Sequence, residues 1–168
     1  MTDQQKTPCA ADFMNRHVQV VTQDMSLTEV IRFLLKHKIS NAPVVKLQDQ
    51  KQILVGFVSE RDCLSALSNE VFFGNPSPAQ TVRTIMSSHP ICITPETELF
   101  SIVSIFVSHH LRHLPVVQNG VLKGIVSRRE ILEAMETYYN HSLHTQEHER
   151  LLRDASQPMN LRFLIDRS

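Results

Sequence analysis

Gly56-Phe57-Val58-Ser59-Glu60-Arg61-Asp62 and Gly124-Ile125-Val126-Ser127-Arg128-Arg129-Glu130 spell one motif twice: glycine, two apolar residues, serine and, three positions on, a carboxylate. The match extends outward. Ala42-Pro43-Val44-Val45 precedes the first copy and Leu114-Pro115-Val116-Val117 the second, and further back Thr22 to Leu27 is answered by Thr94 to Leu99. Met14 and Met86, Thr22 and Thr94, Leu27 and Leu99, and Pro43 and Pro115 are each 72 residues apart, whereas Gly56 and Gly124 are 68 apart, so one loop is expected to be four residues longer in the first copy. A duplicated unit implies a pseudo-two-fold axis, with a cleft between the copies as the natural place for a ligand.

Each copy has the same internal order. Leu27, Val30, Ile31, Leu34 and Leu35 recur at helical spacing behind Ser26-x-x-Glu29, which can cap the helix, and Leu99, Ile102, Val103, Phe106 and Val107 repeat that spacing. A short apolar run around proline follows, then a turn (Gln48 to Lys51, and Gln118 to Gly120), a second apolar run and a second helix, at Glu60 to Asn69 and at Arg128 to about Tyr139. Each unit therefore reads β-α-β-β-α. The fold class expected is α/β, an α+β sandwich of two repeats with helices on one face of the strands. The boundaries expected are a flexible N-terminus over 1–10, the first repeat over 11–70, a Gly- and Pro-containing linker over 71–81 and the second repeat over 82–137. A polar helix and apolar tail fill 138–168.

Seventeen basic residues balance seventeen acidic ones, so no global field draws the chain to nucleic acid or to an anionic membrane. No apolar run approaches the 18 or so residues of a membrane span, and Met1 to Lys6 leads into no apolar signal segment, so a cytoplasmic location is expected. Cys9, Cys63 and Cys92 are odd in number and far apart, which suggests buried thiols and neither a disulfide framework nor a C-x-x-C site. A Gly-x-Ser-x-Gly elbow, a P-loop and H-E-x-x-H are all missing from the sequence, and no enzymatic activity is expected.

Ser59 with Asp62, and Ser127 with Glu130, have capping-box spacing at a strand-to-helix junction. A helix start also offers free N–H groups to phosphate, and a carboxylate beside it can accept from both hydroxyls of a ribose. The ordered pattern T-P-E-x-x-L, h-x-P-V-V and G-h-h-S-x-x-D, where h is apolar, present twice over about residues 10–137, resembles a tandem cystathionine β-synthase (CBS) domain pair, the Bateman module. The resemblance implies a pseudo-symmetric regulatory unit that binds an adenine nucleotide (AMP, ADP, ATP or a related adenosyl ligand) between the copies and signals to a partner protein. It further implies a homodimer built through the helices, for which Leu64, Leu67, Ile131, Leu132 and Met135 are candidates.

The same resemblance assigns two clefts, in which the acid holds ribose, Ser and basic residues hold phosphate, and apolar strand residues sandwich the base. The better match combines Ile91, Cys92, Thr94, Arg112, His113 and Pro115 with Phe57, Val58, Ser59, Arg61 and Asp62. The weaker combines Gln19, Val20, Thr22, Asn41, Ala42 and Pro43 with Ile125, Val126, Ser127, Arg128 and Glu130; there Glu130 sets the carboxylate one methylene further out than the usual Asp, and Asn41 stands where a cation is possible. The ligand is regulatory and no cofactor is expected.

Two alternatives stand beside this. One is a structural dimerisation module with empty clefts. The other is a metal-binding protein using His141-x-x-His144-x-x-x-His148, three histidines on one side of a helix, although Gln146, Glu147, Glu149 and Arg150 make a solvated face there. Met159 to Ile165, with Leu161, Phe163 and Ile165 on one side if extended, is expected to dock on its own dimer or on a partner.

Overall fold

A computed structural model describes residues 7–73 and 80–156, with the side chains of 69–73, 142 and 144–156 outside the description. In the first copy, α1 (Ala10–Phe13) and β1 (Val21–Thr22) lead to α2 (Leu27–His37), β2 (Asn41–Gln48), β3 (Lys51–Ser59) and α3 (Glu60–Phe73). The second runs α4 (Val82–Ile85), α5 (Leu99–His109), β4 (His113–Gln118), β5 (Val121–Ser127) and α6 (Arg128–Ser156). Helix α6 is continuous for 29 residues, where the sequence suggested a helix to about Tyr139 followed by a separate polar one. The segment 158–168 and most of the proposed linker, 74–79, lie outside the described residues.

Local chemistry sets the helix starts. Ser26 accepts from the Glu29 amide while Glu29 accepts from Ser26 N at 2.7 Å, closing the capping box at α2. In both copies the first, fourth and eighth positions of the stripe are buried (Leu27, Val30, Leu34; Leu99, Ile102, Phe106), whereas the ninth, Leu35 and Val107, is 69% exposed in each.

The strands form one sheet in the order β1-β2-β3-β5-β4, and the two antiparallel hairpins meet where Ile53 pairs with Val121. Both hairpins bulge at the same place, between Val44 and Val45 and between Val116 and Val117. The extra four residues of the first copy do not enlarge a loop. Asp49-Gln50 and Asn119-Gly120 are equivalent two-residue turns with positive φ at both positions, and the extra residues lengthen the β2–β3 hairpin to eight pairs against six in β4–β5.

The helical turn that opens each copy packs on the other one. Leu99 N donates to Pro8 O and Ala10 N to Thr97 O, and Ala10 and Met14 join the second core with Leu99, Leu114 and Val126. Equivalently, Leu27 N donates to Gln80 O and Val82 N to Met25 O, and Val82 joins the first core with Val30, Val44 and Val58. Pro8 to Ala10, expected in a mobile N-terminus, are therefore fixed against the second repeat. From Asn15 the chain must cross back to β1, and from Ser87 back to the second repeat, so two straps (15–20 and 87–92) run between the copies.

The motif glycines make those crossings possible. A Cβ on Gly124 would lie 2.8 Å from Asn15 O and from Met14 Sδ, and one on Gly56 2.8 Å from Ser87 O and 2.5 Å from Met86 Sδ. The straps approach closely enough to pair with the next residue of each strand: Asn15 with Ile125 and Ser87 with Phe57 exchange both backbone hydrogen bonds at 2.8–2.9 Å.

Candidate functional site

Between the repeats lies a cavity of about 290 Å³. Asn15, His17, Val18 and Gln19 of the first strap form one wall, and Lys38, Ile39 and Ser40 after α2, with Asn41 and Pro43 of β2, form a second. The opposite side belongs to the second repeat: His113 of β4, Ile125 and Ser127 of β5, and Glu130 in the first turn of α6. Of the residues assigned from sequence to this cleft, Gln19, Asn41, Pro43, Ile125, Ser127 and Glu130 come together here.

The others do not line it. Ala42 and Val126 have no exposed surface, because strand alternation turns them into the two cores. Arg128 is held away by its own repeat, donating from Nε to Leu111 O at 2.6 Å and from Nη2 to His110 O at 3.2 Å. Val20 and Thr22 continue the strap into β1, beyond the lining residues.

The Ser127–Glu130 cap is formed. Glu130 Oε2 accepts from Ser127 N at 2.8 Å and from Ser127 Oγ. Both of these bonds fall on Oε2, and the Glu130 amide adds a further hydrogen bond to its own carboxyl. Burial pushes the Glu130 carboxyl up, but the Ser127 hydroxyl and amide outweigh it, and the nearby His113 adds to them, so the group stays below the usual carboxylate range. It is a carboxylate at neutral pH. Burial pushes His113 the other way, below the ordinary histidine value; Glu130 opposes that shift, while Arg112 and Arg128 reinforce it.

The first residues of β2 and β4 meet across the pseudo-dyad. Asn41 and His113 occupy equivalent places 72 residues apart, and Asn41 Nδ2 lies 2.7 Å from His113 Nδ1. With the amide nitrogen facing it, the neutral ring accepts at Nδ1 and carries its proton on Nε2.

On the Asp62 side the same cap recurs: Asp62 Oδ2 accepts from Ser59 N at 2.8 Å and Ser59 Oγ at 2.6 Å. Phe57 is held by the Ser87 strap, Ile91, Cys92, Thr94, Arg112 and Arg61 are exposed, and His113, assigned to this cleft from sequence, lines the Glu130 cavity instead. Val58 is fully buried in the first core, and Pro115 is buried beside β5 as its equivalent Pro43 is beside β3. Of the cysteines only Cys63 is buried; Cys9 is half-buried and Cys92 exposed.

Sequence reasoning missed His17 and Lys38. Both had a signal in the repeat: His17 is matched by His89 at the 72-residue offset, and Lys38 by His110, each pair member being basic. Lys38 and His110 are also equivalent in structure, both left-handed helix C-caps with φ of 53° and 52°. Among the described residues no group of three or more His, Cys, Asp or Glu could hold a metal, and of the C-terminal trio only the side chain of His141 is described.

A family model of the CBS domain matches residues 10–69 and 82–137, together more than half of the chain. The chain belongs to the CBS domain family. With two copies it is a tandem CBS pair. A 17.7 kDa protein from the bps2 3′ region of Acidianus ambivalens is 30% identical over 119 residues, covering 70% of this chain and 67% of its own. The mitochondrial CBS domain-containing protein CBSX3 of Arabidopsis thaliana is 28% identical over 116 residues, covering 68% of this chain but only 54% of its own length. Among solved structures, that of CBSX2, an Arabidopsis thaliana protein, in complex with AMP superposes with a TM-score of 0.68 at 26% identity, over 79% of this chain and 98% of that one. Among the described residues no helix is long and apolar enough to cross a membrane.

Proposed function

We propose that this CBS pair is a regulatory module that binds an adenine nucleotide between its repeats and passes the occupancy to a partner protein. The observation that carries this reading is the cavity between the copies, which brings a capped carboxylate, Glu130, together with the basic side chains His17 and Lys38. Its volume sits at the small end of ligand pockets. The ribose would take the Glu130 carboxylate, the phosphate would take His17 and Lys38, and Ile39 and Ile125 would flank the base. The likeness to CBSX2, solved with AMP, supports the choice of ligand. The Asp62 cleft has the same cap and is the second candidate site, with Arg112 and Arg61 as its cations.

The outer helices support assembly into a homodimer. Leu64 (66% exposed) and Leu132 (70%) are equivalent residues of α3 and α6, as are the exposed Leu35 and Val107 of α2 and α5, and on the first repeat Leu35, Leu64 and Leu67 line one apolar groove. Ile131 and Met135, offered by the sequence for this surface, face the second core instead, because the helix turns them inward.

A thermal-shift screen with AMP, ADP, ATP, S-adenosylmethionine, NAD and cyclic dinucleotides tests the reading. A ligand at 100 times its dissociation constant adds about 2.7 kcal/mol. No shift with any of them leaves the structural dimerisation module as the better account.

A further inference from the structure

We infer that the bridging pair Asn41–His113 makes the Glu130 cleft proton-linked: a phosphate-bearing ligand bound there is accompanied by uptake of a proton on His113. This deepens the nucleotide-binding reading above and rests on it. The geometry has three parts. His113 lines the cavity together with Ser40, Asn41 and Glu130, so its charge acts on whatever occupies the space. Its Nδ1 is the acceptor in the hydrogen bond from Asn41 Nδ2, a bond that joins the two repeats at equivalent positions. Asn41 Nδ2 also reaches Ser40 Oγ at 3.2 Å, so the amide's orientation is shared with the neighbouring residue of its own wall.

Protonation cannot leave this arrangement unchanged. An imidazolium has N–H at both nitrogens, so Nδ1 can no longer accept, and the Asn41 amide must turn over to present Oδ1. That flip puts Oδ1 where Nδ2 was, so the Ser40 hydroxyl must turn from accepting to donating. One proton from solvent, added to one ring nitrogen, thus rewires the contact between the repeats and the wall formed by Ser40.

The charged groups around the ring set the balance. Arg112 beside it and Arg128 on α6 oppose a positive His113, as does burial, while Glu130 on α6 favours it. Lys38 after α2 adds positive charge to the same cavity, which His17 of the strap also lines. One carboxylate against this set keeps the ring neutral in the empty cleft. A bound phosphate supplies further negative charge and tips it, and by linkage each unit by which the ligand raises the His113 pKa tightens binding about tenfold as pH falls through that range.

The test is titration calorimetry of the full chain with AMP at pH 7, in two buffers of different ionisation enthalpy, with adenosine as the uncharged control. The wild type should take up a substantial fraction of a proton with AMP and almost none with adenosine, and AMP should bind more tightly at pH 6 than at pH 8. AMP's own phosphate titrates near pH 6, so the decisive figure is the difference from His113→Gln, in which uptake should fall. Equal uptake in wild type and His113→Gln overturns the inference while the nucleotide reading stands; failure of AMP and adenosine to bind the wild type overturns both. NMR titration of the His113 ring in the wild type is independent of the variant's folding: its midpoint should rise on adding AMP, and an unchanged midpoint overturns the inference.

Discussion

Gly124→Ala should destabilise the protein by about 1–3 kcal/mol, although the change adds a single methyl group. The new Cβ would lie 2.8 Å from Asn15 O and from Met14 Sδ. The thioether can swing aside, but the carbonyl cannot, because it accepts from Ile125 N at 2.9 Å while Asn15 N donates back to Ile125 O at 2.9 Å. To reach an ordinary contact near 3.4 Å the strap must retreat by about 0.6 Å, which stretches these bonds to about 3.5 Å, beyond the working range of an N–H···O bond. Loss of one such bond costs about 1 kcal/mol and overpacking about 1–3 kcal/mol, against about 0.4–1 kcal/mol recovered from a stiffer unfolded chain. Urea unfolding of Gly124→Ala and Gly56→Ala beside wild type measures the loss directly, and each kcal/mol should lower the melting temperature by about 2–4 °C. Adding Met14→Ala to Gly124→Ala relieves only the sulfur contact, so it should not restore stability. Gly124→Ala within about 0.5 kcal/mol of wild type would refute the argument that the motif glycine exists to let the strap cross.

Glu130→Ala removes the cap at α6 together with the ribose acceptor, so stability should fall by about 0.5–2 kcal/mol and AMP affinity by about 1.5–3 kcal/mol in calorimetry, while Asp62→Ala reports on the opposite cleft in the same assay. His113 and Glu130 both titrate below their ordinary values of 6.5 and 4.5, so the unfolded chain takes up protons first: stability from these groups is full above pH 6.5, declines as acid charges His113 and declines again as Glu130 protonates. Urea midpoints at pH 7.5, 5.5 and 4 should fall in that order, and His113→Gln should lose less between the first two. Leu64→Glu combined with Leu132→Glu should give a monomer in light scattering, and its melting temperature should lose the dependence on protein concentration that a dimer confers.

The duplication, the helical stripes, the hairpin turns and both Ser-x-x-acid caps were legible because each is written in contiguous residues. Where sequence reasoning went astray, a long-range contact decided. The exchange of α1 and α4 between repeats has no local signature, since Ala10 and Val82 look like ordinary apolar residues until the core that holds them is known. Ala42, Val58 and Val126 were placed in clefts by motif position, yet strand alternation turns them into the cores. Lys38 escaped notice because its role comes from a left-handed helix end and not from any motif. The four extra residues looked like a loop because a count of residues cannot tell a longer turn from two more pairs of strand.

The motif that opened the sequence does two jobs within seven residues, and their closeness explains why a cleft forms where it does. The glycine admits the strap from the neighbouring repeat, Asn15 on Gly124 and Ser87 on Gly56, and the pairing with Ile125 or Phe57 fixes the strap's height over the strand. Three residues after the glycine, the serine and its carboxylate start the following helix, each bond falling on one carboxylate oxygen. The strap then runs on into the other repeat as one wall of the cavity, with the helix start facing it. An occupant of that space touches a segment anchored at Ile125 in the second repeat and, through β1 and β2, at Val44 in the first. Such an occupant would contact both repeats at once, and it could shift any equilibrium between inter-repeat angles only by the difference in its affinity for them. Glu130 stands in the first turn of the 29-residue helix α6, which rises roughly 40 Å from the cleft. A small tilt at that turn would be magnified along the helix, so under the proposed function α6 is the element through which the state of the cleft would be carried away from it.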